Sequence, residues 1–169
     1  MAKLVEWLNS QDPAKVEFMR RYDTGWSPID NILHLSFITI KETIPKLIEQ
    51  NKFEEAIATA LSMDVKKIYT FDEIKRFRLY LWLLKQYEKI GKMEMDYLSS
   101  PPDAKLAAAG ISDLDPLGIT NTIDLLAGGD VTKWAEVRNL PYSDCFEKQL
   151  KMLIESRIEK KLIEQTKLK

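Results

Sequence analysis

The strongest constraint on this chain is the repeated punctuation of helices along it. Asp12-Pro13 and Asp115-Pro116 each set a capping acid before a proline. A proline at the first helical position gives up only an N–H that would have no partner there. Thr70-Phe71-Asp72-Glu73 has the form of a capping box, with Thr70 accepting from the Glu73 N–H while Glu73 reaches back. Stops are as frequent: Thr24-Gly25, Asn51, Ser99-Ser100-Pro101-Pro102, Gly110 and Gly128-Gly129. No hairpin turn joins two alternating apolar runs. The expected fold class is therefore all-α: an irregular helical bundle with a long central helix at about 71–98 and a long, partly projecting C-terminal helix at about 143–167.

Shorter helices are expected at 3–9, 13–22, 43–50, 52–63, 103–109 and 115–127, with one or two turns over 132–137. The pair at 43–63 reads as a helical hairpin, unrepeated at any fixed period, which argues against a solenoid. Residues 29–40 carry two patterns. Ser27-Pro28-Ile29-Asp30 looks like a helix start, and Ile32, Leu33, Ser36, Phe37 and Ile40 fall at helical spacing. Leu33, Leu35 and Phe37 also alternate, and Phe37-Ile38-Thr39-Ile40 is rich in strand formers. Helix is preferred over strand, because a lone strand would have no partner. Apolar residues of the central helix cover more than one face, as in a strut buried on two sides.

The last helix divides the chain into a bundle, residues 1–142, and a C-terminal arm, residues 143–169. Phe146, Leu150, Leu153, Ile154, Ile158 and Leu162 form a stripe at spacings of three and four. Beyond Glu155 the stripe is narrow and flanked by charge, as in a partner-facing seam. The part through Ile154 is expected to pack on the bundle, and Ile158 and Leu162 to face another chain.

Composition removes several function classes. The 169 residues carry 25 basic and 26 acidic side chains, a formal charge of −1, one His and one Cys. Binding nucleic acid through global charge is not expected, and disulfide frameworks, Cys/His zinc sites and CxxC redox motifs are excluded. Glu6 interrupts any secretory signal core, and the most apolar window, 29–40, is too short to span a bilayer. Cys145 reads as a small buried hydrophobe.

His34, one turn after Asp30, would suit a proton relay, but no nucleophile accompanies it, so it reads as a structural histidine in or near the core. Asp113, Asp115, Asp124 and Asp130 lie in one region, mostly at caps and loops, without metal-ligand spacing. Gly128-Gly129-Asp130 lacks the pattern of a phosphate loop. No catalytic, cofactor-binding or metal-ligating residue is assigned, no cofactor or small-molecule substrate is expected, and an enzyme is not expected. Lys66, Lys67, Lys75, Arg76 and Arg78, interleaved with Tyr69 and Phe71, read as a solvated basic face, or as a patch for an acidic partner or nucleic acid. Trp134, Leu140, Pro141 and Tyr142 form an aromatic–proline corner, read either as a turn packed on the core or as a partner interface.

The run from Leu125 to Tyr142 (LLAGGDVTKWAEVRNLPY), with Ala108-Ala109-Gly110-Ile111 and Tyr87-Glu88-Lys89-Ile90 before it, resembles small helical proteins of tailed bacteriophages, particularly crAss-like short-tailed phages. The resemblance covers about residues 69–160 and carries no catalytic residues with it. It implies a structural protein of the virion, made in the bacterial host cytoplasm. The role it implies is a head-to-tail connector, a ring or adaptor subunit that forms a cyclic homo-oligomer against neighbouring ring, portal or tail proteins. A tail-assembly chaperone and a cytoplasmic helical regulatory or nucleic-acid-associated protein are the alternatives. The resemblance leaves room for a DNA contact without indicating one, and implies no membrane.

Overall fold

A computed structural model of the chain describes residues 28–99 and 108–167, together with Pro13. The helices expected at 3–9, 13–22 and 103–109 lie wholly or almost wholly outside the described residues. The rest is all-α. A π-helical turn at Thr39–Thr43 leads into α1 (Ile44–Glu49), followed by α2 (Phe53–Ala60), α3 (Val65–Tyr69) and α4 (Glu73–Tyr97). After a 3₁₀ segment at Ile111–Leu117 come α5 (Ile119–Ala127), a 3₁₀ turn at Val131–Lys133, α6 (Trp134–Asn139) and α7 (Tyr142–Lys167).

Helices α1 and α2 form the expected hairpin. Asn51 takes a left-handed conformation at φ 60°, and the Lys52 N–H returns to the Leu47 carbonyl at 2.9 Å. Helix α3 was not expected. Its signal is Asp64, whose carboxylate accepts from the Lys66 N–H at 2.9 Å.

The start of α4 corrects the capping-box reading. Its N-cap is Asp72, which accepts from the Lys75 N–H at 2.8 Å. Thr70 instead ends α3, and its hydroxyl donates to the Lys67 carbonyl at 2.7 Å. With its hydroxyl turned back into α3 as a donor, Thr70 does not accept from the first turn of α4. Phe77, Leu79, Tyr80, Trp82, Leu83, Gln86 and Ile90 are buried. At about 100° per residue they cover more than half the circumference of α4, which is the two-sided burial of a central strut.

Asp115-Pro116 does not open a helix as expected. Pro116 lies inside the 3₁₀ segment, whose Asp115 carbonyl accepts from the Gly118 N–H at 3.0 Å. Gly118, at φ 48°, turns the chain before α5 begins. The stop at Gly128-Gly129 holds: Gly129 N–H bonds the Asp124 carbonyl at 3.0 Å.

Residues 29–40 carry both of their patterns in succession. The chain turns through residues 28–35, Ser36 forms an isolated antiparallel bridge with Pro141, and helical geometry starts at Phe37. The Phe37 N–H bonds the Leu140 carbonyl at 2.8 Å, and Tyr142 N–H bonds Leu35 carbonyl at 2.9 Å. The partner missing for a lone strand is the extended joint between α6 and α7. Among the described residues this bridge is the whole of the β-type pairing.

Candidate interaction surfaces

The aromatic–proline corner packs on the core as a joint, the first of its two readings, and the place of Tyr142 in a partner interface is corrected by its burial. Tyr142 is fully buried. Its ring stacks on Phe37 at 6.2 Å and on Phe146 at 6.4 Å, and Phe146 meets Tyr97 edge-on at 6.4 Å. The Tyr142 hydroxyl donates to Glu94 Oε1 at 2.5 Å, and Lys41 Nζ holds the same carboxylate at 2.8 and 3.0 Å. Burial, then the Glu94 carboxylate, push the Tyr142 hydroxyl above its ordinary pKa. Trp134 is half-buried, and its indole N–H donates to Asp124 Oδ1 at 3.0 Å. Leu140 and Pro141 are half-buried and bound to residues 36 and 37. Tyr142, directly after Pro141 and entering a helix, falls inward here because the bridge to Ser36 pulls the joint onto the core.

The basic residues divide. Lys66 and Lys67 are exposed on α3. Lys75, on α4, lays its ammonium 3.7 Å from the Phe71 ring centroid. Arg76 Nη1 approaches Glu54 Oε1 at 3.6 Å, and the same oxygen accepts the Tyr80 hydroxyl at 2.6 Å. Arg76 therefore belongs to a structural network. Lys75 and Arg78 line a surface hollow of about 340 Å³ with Asp72 and Ile74; Lys66 and Lys67 are not among its lining residues.

His34 is exposed in the turn before Ser36, not in or near the core as its sequence neighbours suggested. Turn geometry, absent from a periodicity reading, directs it outward. Asp130 caps the 3₁₀ turn through the Thr132 N–H at 3.0 Å, and its hydrogen bonds to Thr132, then Lys133, lower its pKa. Among the described residues, no group of three His, Cys, Asp or Glu could hold a metal ion, and no helix is long and apolar enough to cross a membrane.

Helix α7 carries the remaining surface. Cys145 and Phe146 are buried, and Gln149, Leu150, Met152 and Leu153 are half-buried. Lys148 donates to the Leu126 carbonyl, and Arg157 Nη2 to the Ser99 carbonyl at 3.3 Å. Ile154 is 45% exposed, Ile158 52%, Leu162 57% and Ile163 54%. Ile154, expected to pack on the bundle, thus lies outside it. A helix advances about 100° per residue, so each four-residue step overshoots a full turn by about 40°. From Phe146 to Leu162 the ladder rotates by about 160°, from the bundle face to the face turned away from it. Along the sequence it is one stripe; on the helix it spirals out of the core.

No protein-family model, curated protein or solved structure matches this chain.

Proposed function

We propose that the chain is a non-enzymatic structural subunit of a tailed phage particle: a head-to-tail connector protein that assembles as a cyclic oligomer in the virion. The observation that carries this reading is the apolar ladder on the outer face of α7, where Ile154, Ile158 and Leu162 are each about half exposed. Large aliphatic side chains in a row, rimmed by charge, are what an assembly surface needs. Covering Ile158 and Leu162 with a neighbour is worth about 1.5–3 kcal/mol each at full burial, a sum repeated at every interface of a ring. The resemblance over residues 69–160 supplies the setting.

The test compares wild type with Ile158→Asp/Leu162→Asp by native mass and thermal melting, alongside a search for the chain in purified particles. The expected result is a closed ring for wild type and a folded monomer for the double variant. A double variant that assembles as wild type does would refute the reading. A wild-type monomer or dimer absent from particles would select an assembly chaperone or a cytoplasmic regulator.

A further inference from the structure

Beside the exposed end of the α7 ladder, between Glu155 and Lys161, the charges are sorted by sign. Taking Ile158 as the centre of the outer face, about 100° per residue puts Ile154 and Leu162 about 40° to either side. Glu155 and Glu159 then fall on one flank, at about 60° and 100°. Lys161 and Arg157 fall on the other, at about the same angles with opposite sign. All four are exposed, and Arg157 also donates to the Ser99 carbonyl of its own chain at 3.3 Å. The in-helix pair Lys151–Glu155, at 3.7 Å with both side chains more than half exposed, is weak enough to exchange.

We infer that a second copy of this chain covers the ladder, with its own α7 running parallel and in register. This rests on the assembly reading above and specifies its geometry. When two copies of one helix pack in parallel about their apolar faces, the left flank of each meets the right flank of the other. Here that sets Glu155 and Glu159 of one copy against Arg157 and Lys161 of the next, each acid within two residues, about 3 Å along the axis, of a base. Antiparallel packing sets each flank against its own kind, acids on acids and bases on bases. The charge pattern therefore favours the parallel pair and penalises the antiparallel one. When α7 helices stand side by side around a ring axis parallel to them, each copy repeats this flank-to-flank contact with the next, so the parallel geometry is the one that fits a ring.

Two experiments decide it. Glu155→Lys/Glu159→Lys makes both flanks basic, and Arg157→Glu/Lys161→Glu makes both acidic. Each variant should self-associate about tenfold more weakly than wild type, and an equimolar mixture should recover most of the loss. Antiparallel packing faces like with like before and after inversion, so it predicts no weakening. The second experiment mixes Glu159→Cys with Lys161→Cys protein and treats them with a short bis-maleimide, the native Cys145 being buried. Cross-linked dimers should form in the mixture and not from either variant alone. Cross-linking by each variant alone, or inversion without effect on an assembly that Ile158→Asp/Leu162→Asp still abolishes, would overturn the parallel geometry and leave the assembly reading standing. A wild-type chain that stays monomeric would remove both.

Discussion

Tyr142 and Glu94 join the two long helices of the fold: the first residue of α7 donates its hydroxyl, across 2.5 Å, to a carboxylate near the end of α4. Lys41 donates to both oxygens of that carboxylate, so three segments distant in sequence meet at one charge. Tyr142→Phe keeps the ring stacking on Phe37 and Phe146 and leaves Glu94 with Lys41 alone. The expected cost is about 1.5–3 kcal/mol, the range for a hydrogen bond to a charged group. Denaturant melts should show it with the native mass unchanged.

The same hydroxyl contributes to a dependence on pH. Burial raises the pKa of Tyr87, and burial with a carboxylate neighbour raises those of Tyr80 and Tyr142, all above the ordinary value near 10. A group whose folded pKa is raised stabilises the fold fully below its unfolded pKa and loses that contribution as pH rises towards the folded one. Stability should hold up to about pH 10 and fall above it. Melting temperatures measured across that boundary should drop less steeply for Tyr87→Phe/Tyr142→Phe than for wild type.

Asp72, not Thr70, caps α4, and the two can be told apart by truncation. Asp72→Ala leaves the Lys75 N–H without its acceptor and should cost about 0.5–2 kcal/mol. Thr70→Ala removes only a hydroxyl that donates back to Lys67 and should cost less. Chemical denaturation of both variants ranks them, and a larger loss for Thr70→Ala would restore the capping box.

Cys145 is buried, and burial, reinforced by Asp144, pushes its thiol up to about 11. Since the thiolate is the reactive form, alkylation at neutral pH should be negligible in the native protein and fast in denaturant. Rapid labelling of the native protein would mean that the joint between α6 and α7 opens readily.

The helical class was legible because caps, prolines and glycines act locally. Asn51 and Gly128-Gly129 end helices by backbone conformation alone, and a reading of neighbours suffices for them. What escaped depended on distant partners. Tyr142 carries two readings in sequence, a turn packed on the core or a partner face, and the pairing of Ser36 with Pro141 draws it inward. Residues 29–40 show mixed periodicity because their first part turns, residues 35–37 pair with the 140–142 joint, and their last part is helical. Asp115-Pro116 carries a helix-start signature, yet both residues lie inside the 3₁₀ segment Ile111–Leu117, and Gly118 closes that segment before α5 starts.

The ladder of α7 yields the sharpest prediction, because its members share chemistry and differ in angle. Phe146, Leu150 and Ile158 follow one another at four- and eight-residue steps, yet the first is buried, the second half-buried and the third 52% exposed. Truncation to Ala should therefore cost the monomer progressively less. Phe146→Ala should lose about 3–5 kcal/mol, as for a large buried aromatic. Leu150→Ala should fall between, and Ile158→Ala should stay within about 0.5 kcal/mol, as for a surface site. Association should follow the opposite order, with Ile158→Ala weakening it most and Leu150→Ala little. Folding and assembly would then be written on the same stripe and separated only by the rotation of about 40° per step. Melting at concentrations below assembly, paired with sedimentation above it, measures the two orders independently. If Ile158→Ala destabilised the monomer as much as Leu150→Ala does, the ladder would be a single core stripe and not a spiral leaving the core.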